Sequence, residues 1–286
     1  MLEKLHRAGS KIRNSPLLRR QQWLWNAVEP IWQGAFGRFA SDRGYAARVN
    51  NDVFRLDYEY GARYDRGDRQ AYEPTFYFPF VNRIRPGMTV FDIGAHIGLF
   101  GLGAAQRVGQ AGRVVAFEPA PQTLAVLRRH VAYNGFERVI DVQPVVVSDS
   151  EQPVSFFVYQ ASMAASMSRA NVEDLNPEQR TTPAQEVLVP ALTLDAFCRE
   201  RSMRPDVIKI DVEGAEYRVL NGARELLANH RVTVLCEIHP QQMANCGGSI
   251  EAFNALVDEL GYMIEPLDAP NPAGIFHALI ERRPLV

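Results

Sequence analysis

The chain has 286 residues, 47% of them hydrophobic and 22% charged, with a formal net charge of -2. At roughly 100–200 residues per domain that is one large domain or one domain with an appendage, and the composition excludes global disorder. The near-neutral charge gives no bias toward nucleic acid or an anionic membrane, and no apolar run approaches the ~18 residues of a membrane span.

The N-terminus is basic (Lys4, Arg7, Lys11, Arg13) without a long apolar core behind it, so it does not read as a secretory signal. Ser15-Pro16 marks a helix start. Leu17, Leu18, Trp25, Val28, Ile31, Trp32, Ala35, Phe36 and Phe39 then recur at helical spacing, with Pro30 kinking or dividing the segment. Residues 1–45 are therefore expected as an N-terminal helical appendage to a domain at 46–286. A membrane-surface helix, giving peripheral membrane contact, and a partner interface are the other readings of that stripe.

Residues 46–58 predict a short hairpin turning at Asn50-Asn51. Residues 72–85 predict an amphipathic helix ended by Pro86-Gly87, and Tyr58, Tyr60, Tyr64 and Tyr72 before it are either core or a stacking surface for an acceptor. From residue 88 the pattern becomes strand (MTVFDIG), helix (IGLFGLGAAQRV), strand (RVVAFEP), helix (PQTLAVLRRHVAYNG) and strand (VIDVQPVVVSD). Units of about 30 residues in that order indicate a parallel, doubly wound sheet. VSFFVY reads as an extra strand, and the following polar loop, about 160–185, is expected with the N-terminal helices to cover an acceptor. DVIKIDVEGAE, VTVLCEIHP and FHALIERR read as further strands, LNGARELLAN and SIEAFNALVDELGY as helices. Cys198, Cys236 and Cys246 are odd in number and widely spaced, which argues against a disulfide framework and for a reducing cytoplasm.

The sharpest local feature is Asp92-Ile93-Gly94-Ala95-His96-Ile97-Gly98, where a buried strand hands over to a helix. Ligands of open α/β sheets bind at that carboxyl end. The spacing is G-x-x-x-G, not the G-x-G-x-x-G of the dinucleotide fingerprint. Asp92 would repel a pyrophosphate, whereas it can orient the cationic amino group of a methionine moiety. The loop therefore suits S-adenosylmethionine better than NAD, with Gly94, Ala95, His96 and Gly98 lining it; His96 faces either the cofactor carboxylate or solvent. Glu118-Pro119 ends the second strand, where an acid can accept from both ribose hydroxyls. Ser148-Asp149 ends the third, near the place of an adenine. Glu118 and Asp149 have a blander reading, as caps of the following turns.

With these residues the sequence resembles the FkbM family of S-adenosylmethionine-dependent methyltransferases. The resemblance rests on VFDIGAHIGLF (90–100), VVAFEP (114–119), LTLDAF (192–197), IKIDVEGAEYRVLNGA (208–223) and LCEIHP (235–240). It implies a class I methyltransferase fold: a Rossmann-like, seven-stranded, mostly parallel sheet whose last strand runs antiparallel. It also implies O-methylation of a sugar or glycan hydroxyl, or of an alcohol of a polyketide-type natural product. The first 45 residues lie outside it.

A second acidic cluster ends the fourth strand. Lys209, Asp211 and Glu213 would share one strand face, Glu216 reads as an exposed first-turn helix residue favoured by the helix dipole, and Glu237 and His239 end the next strand. Buried strands rarely end in such charge density. A neutral alcohol is a poor nucleophile, so a general base is worth about 10²–10⁴-fold; Asp211, Glu213 and His239 are the candidates. Nothing has strict metal-ligand spacing, so no metal ligands are assigned, although the cluster can bind a divalent cation through oxygen. The alternatives are an NAD-dependent dehydrogenase or epimerase, against which stand the glycine spacing, Asp92 and the lack of Tyr-x-x-x-Lys, and a non-catalytic nucleoside-binding protein. The acceptor is expected to be a small molecule or glycan, not nucleic acid; oligomeric state has no readable signal.

Overall fold

A computed structural model describes residues 43–65, 71–158, 165–171 and 184–284. The expected helices of the N-terminal appendage and most of the polar loop at 160–185 lie outside the described residues. Among the described residues no helix is long and apolar enough to cross a membrane. The chain divides into two compact units, residues 1–72 with 129–135, and residues 73–128 with 136–286.

The first unit contains the expected hairpin. Strand β1 (Tyr45–Val49) pairs antiparallel with β2 (Asp52–Leu56). The chain reverses at Asn50-Asn51, where Asn50 has φ 54°, a left-handed conformation that asparagine tolerates better than most residues. Alternation sends Ala47, Val49, Phe54 and Leu56 inward to 0% exposure. Helix α1 (Tyr58–Tyr64) follows. Tyr58 meets Tyr45, Tyr64 meets Tyr72 and Tyr60 meets His130 edge to face.

The second unit opens with helix α2 (Pro74–Arg83), which buries Phe76, Tyr77, Phe80 and Val81 at helical spacing. There follow β3 (Thr89–Ile93), α3 (Leu99–Val108), β4 (Arg113–Phe117) and α4 (Pro121–Tyr133, whose last turn falls among the first unit's residues). Then come β5 (Ile140–Gln143), β6 (Val146–Val147), β7 (Val154–Val158), β8 (Ala165–Ser166), β9 (Gln185–Val189), β10 (Ala191–Leu192) and α5 (Leu194–Arg201). The chain continues through β11 (Val207–Ile210), α6 (Glu216–Asn221), α7 (Arg224–Asn229), β12 (Thr233–Ile238), α8 (Pro240–Asn245), α9 (Ile250–Glu259), β13 (Tyr262–Pro266) and β14 (Phe276–Arg282).

Seven strands form one sheet in the order β13-β14-β12-β11-β3-β4-β5. Six strands run in one direction and β14, the last, runs opposite to them. This is the Rossmann-like arrangement of the class I methyltransferases. The central strands are buried on both faces, so they read as apolar runs, interrupted within the strands by Asp92, Lys209 and Glu237. Phe91, Phe117 and Phe197 interlock edge to face at 5.2–5.7 Å between centroids and fix α5 against the sheet.

Three expectations need correction. VIDVQPVVVSD is not one strand: the chain leaves the main sheet at Pro144, which has no N–H to give to a ladder, and Val146–Val147 pairs in parallel with β10 instead. LNGARELLAN is two short helices, broken at Gly222-Ala223. Tyr262, expected as the last residue of a helix, instead opens strand β13 (Tyr262–Pro266). Strand β7 stands in a separate three-stranded sheet with β8 and β9.

Candidate active site

The turn after β3 is built from three left-handed residues, Gly94 (φ 76°), His96 (φ 53°) and Gly98 (φ 95°). The amides of Gly94 and Ala95 donate to the Phe117 carbonyl at 3.1 and 3.0 Å, which ties the turn to the end of β4. A Cβ on Gly94 would lie 1.8 Å from the Asp211 carbonyl oxygen, so no side chain fits there. The last residue of the turn, Gly98, is the N-cap of α3.

Glu118 follows β4 directly and is 6% exposed. One carboxylate oxygen accepts from the His96 amide at 2.8 Å and the other from the Ala120 amide at 2.9 Å. A carboxylate offers about four acceptor positions, so two stay open. Burial pushes its pKa up to about 7, against the pull of the two amides. Pro119 beside it is partly exposed. Asp92 is 0% exposed, and neither of its oxygens has a hydrogen-bond partner among the described residues. Its nearest cation is Lys209 Nζ at 3.6 Å, and burial raises its pKa. Orphaned acceptors at Asp92, open positions on Glu118 and a turn with no room for a side chain at Gly94 fit a ligand that brings an ammonium group and a ribose diol, as S-adenosylmethionine does.

Ser148 and Asp149 do not end a main-sheet strand, as expected; they follow the short β6. Ser148 is fully buried and its hydroxyl lies 3.2 Å from Asp149. Asp149 also pairs with Arg218 Nε at 3.2 Å and Asn221 at 3.2 Å.

The second cluster begins with Lys209, 2% exposed. Its Nζ donates to the Gly94 carbonyl at 2.8 Å, stands 3.3 Å from Asp211 and lies over the Phe100 ring. Burial disfavours the ammonium, but the charges of Asp211 and Asp92 outweigh that and raise its pKa. Although burial opposes it, Lys209 and His239 hold Asp211 below the usual carboxylate range.

Lys209, Asp211 and Glu213 do not share one strand face as expected, because β11 ends at Ile210. Glu213 instead sits in a turn at φ 52°, next to Gly214 at φ 103°. A bulky residue is rarely held there without a structural reason. Its carbonyl accepts from Ser166 Oγ at 3.2 Å and Asn171 Nδ2 at 2.8 Å, and Asn171, 0% exposed, also bonds the Gln242 carbonyl and Asn245. These bonds pin the turn. Glu213 Oε2 is buried with no hydrogen-bond partner among the described residues, and burial pushes the group up to about 7.

Glu216 is not exposed as expected; it is 0% exposed and accepts from the Gly214 amide. The same oxygen lies 2.9 Å from His239 Nδ1. Burial alone would lower the His239 pKa, but the Glu216 hydrogen bond and the surrounding carboxylates push it up to about 10, so the ring is charged at neutral pH. His239 Nε2 stands 3.4 Å from Glu213 and 4.0 Å from Glu237. Burial, with the Asp211 charge beside it, pushes Glu237 up to about 9.

The structure thus brings Asp211, Glu213 and His239 together, next to Asp92 and Gly94, which Lys209 joins to them. Sequence reasoning placed Glu237 at the same crevice without giving it a role. It missed Asn171 and the pair Asp268–His277, 2.6 Å apart. Those partners come from a polar loop and from β14, and no local pattern announces a contact so distant in the chain.

The family model of the methyltransferase FkbM domain matches residues 92–264. The AMB antimetabolite synthetase AmbE of Pseudomonas aeruginosa is 30% identical over 210 residues, 63% of this chain but 10% of that protein, so the chain spans about a tenth of its length. The 31-O-demethyl-FK506 methyltransferase FkbM of Streptomyces tacrolimicus is 26% identical over 236 residues, 75% of this chain and 88% of that protein. Among solved structures, methyltransferase FkbM from Methylobacillus flagellatus aligns over 73% of this chain and 50% of its own, at 18% identity and a TM-score of 0.44.

Proposed function

The chain belongs to the FkbM family of S-adenosylmethionine-dependent methyltransferases, and from that premise we propose that it methylates a hydroxyl group of a small-molecule or glycan acceptor. Membership sets aside the dehydrogenase and the non-catalytic readings. The observation that carries the proposal is the buried Glu213 Oε2, which accepts no hydrogen bond among the described residues and has only the His239 Nε2 cation beside it at 3.4 Å, in a turn beside the cofactor loop. The Streptomyces relative is named for methylation of an O-demethylated compound, FK506 lacking its 31-O-methyl group, which points the same way.

Bound S-adenosylmethionine supplies an electrophilic methyl group on a sulfonium. On this reading Asp92 orients its amino group, Glu118 takes the ribose hydroxyls, and the backbone of Gly94, Ala95, His96 and Gly98 lies against it with Pro119. Ser148 and Asp149 border the adenine. Glu213 Oε2 receives the acceptor's hydroxyl proton, Asp211 orients that hydroxyl, and His239, whose Nδ1 is occupied by Glu216, holds the two carboxylates in place. Alignment of the acceptor supplies several kcal/mol, and the proton acceptor about 10²–10⁴-fold in rate. We place the reaction in the cytoplasm, since Cys198, Cys236 and Cys246 are all free.

Labelled methyl transfer to a panel of glycans and polyketide alcohols tests this. Nuclear magnetic resonance should show the label as an O-methyl group, and Glu213→Gln should lower turnover at least a hundredfold while cofactor affinity changes less than threefold. A product methylated on nitrogen or carbon, or full turnover in Glu213→Gln, removes the proposal.

A further inference from the structure

Two histidines converge on one carboxylate at the ends of β12 and β14. His239 is fixed through Nδ1 by the fully buried Glu216 at 2.9 Å. His277 is fixed in the same way by Asp268 at 2.6 Å, and Thr75 donates to that carboxylate at 2.9 Å. Both leave Nε2 turned toward Glu237 Oε1, at 4.0 Å from His239 and 3.7 Å from His277. The His239 ring is 2% exposed, and its Nε2 also stands 3.4 Å from Glu213 Oε2. Asp211, Glu237 and His239 each offer a ligand atom, all within 4.8 Å of one another. A carboxylate behind the far nitrogen of an imidazole is the arrangement that sets the tautomer of a metal-binding histidine. It is a second feature of this cluster, separate from its acidity.

We infer that Asp211, Glu237 and His239 form a binding site for a divalent first-row metal ion, with Glu216 orienting His239 and His277 steadying Glu237. Mixed imidazole and carboxylate donors without thiolate suit manganese, iron, cobalt or zinc rather than copper(I). The ion takes the place of the proton on His239 Nε2. Three protein ligands leave positions open, which suits an acceptor carrying adjacent oxygens, a vicinal diol or a hydroxy-carbonyl. That preference rests on the hydroxyl methylation proposed above; the ion site does not.

The test titrates the chelator-treated full chain with MnCl2, without cofactor or acceptor, by calorimetry and by the paramagnetic resonance signal of free ion. One saturable site is expected, weakened at least tenfold in Glu237→Gln and about 10–100-fold in Glu216→Gln. Circular dichroism melting separates a lost ligand from a lost fold. If either variant unfolds, visible absorption of the wild-type chain with CoCl2 decides, with bands of nitrogen–oxygen coordination expected. No saturable binding of manganese, cobalt or zinc, or binding that both folded variants leave unchanged, overturns the site. Ion binding without an O-methyl product sustains the site and counts against the hydroxyl acceptor; O-methyl product from enzyme that binds no ion does the reverse.

Discussion

Glu118 shows how one side chain ties burial to chemistry. Its carboxylate is nearly closed off from water, yet it accepts two backbone amides and keeps acceptor positions open. Hydrogen bonds to a charged group are worth about 1.5–3 kcal/mol, so Glu118→Gln should weaken S-adenosylmethionine binding about 10–100-fold. The folded pKa of about 7 lies above the ordinary 4.5. Between those values the folded chain holds a proton that the unfolded chain has released. Folding stability should therefore fall as pH rises through that window, by up to about 1.4 kcal/mol per pH unit, while cofactor affinity rises. Denaturant unfolding and calorimetry across pH 4.5–8 should show both slopes in the wild type; in Glu118→Gln the affinity slope should be lost and the stability slope reduced, the remainder coming from Glu213 and Glu237, which burial also raises. At this scale the sequence was readable where chemistry and local pattern coincide: Asp92, Glu118 and the glycines stand at a strand-to-helix turn. Glu216 was misread because helix position alone favours a solvated acid in the first turn, whereas its partner His239 follows β12, far along the chain.

The elements follow from periodicity, and the errors have physical causes. Strands β3, β4, β11 and β12 are mostly apolar because both sheet faces are covered, and the polar residues that build the site, Asp92, Glu118, Lys209, Asp211, Glu237 and His239, lie at or just past their carboxyl ends. Pro144 breaks what hydrophobicity alone presents as one long third strand. Tyr262–Pro266 carries neither clean alternation nor helix period, because its half-exposed register is set by pairing with β14. Helix α9 was readable from its start: Ser249 accepts from the Ala252 amide at 3.1 Å, the capping bond that a serine before an apolar stripe predicts. Ser249→Ala should cost about 1 kcal/mol, read as a lower denaturant midpoint with unchanged slope; no shift would mean that packing of Phe253, Leu256 and Val257 alone holds the helix.

For the whole molecule, the strand order puts β3, β4, β11 and β12 side by side, so that four carboxyl ends and their acids face one crevice. Such a crevice is where open α/β sheets take their ligands. A ligand that binds only the folded chain stabilises it by mass action, about 2.7 kcal/mol at a hundredfold excess over Kd. S-adenosylmethionine should accordingly raise the melting temperature, and NAD should not. The doubly wound class was legible from alternating strand and helix patterns, whereas the division into two units, with residues 129–135 joining the first, depends on contacts that no window of sequence contains. The most direct measurement is a crystal structure of the chain with S-adenosylhomocysteine. The expected result has both ribose hydroxyls within hydrogen-bonding distance of Glu118 and the amino group turned to Asp92, with Glu213 facing the sulfur side of the crevice. A nucleoside bound elsewhere, with Asp92 and Glu118 making no contact to it, would contradict the assignment.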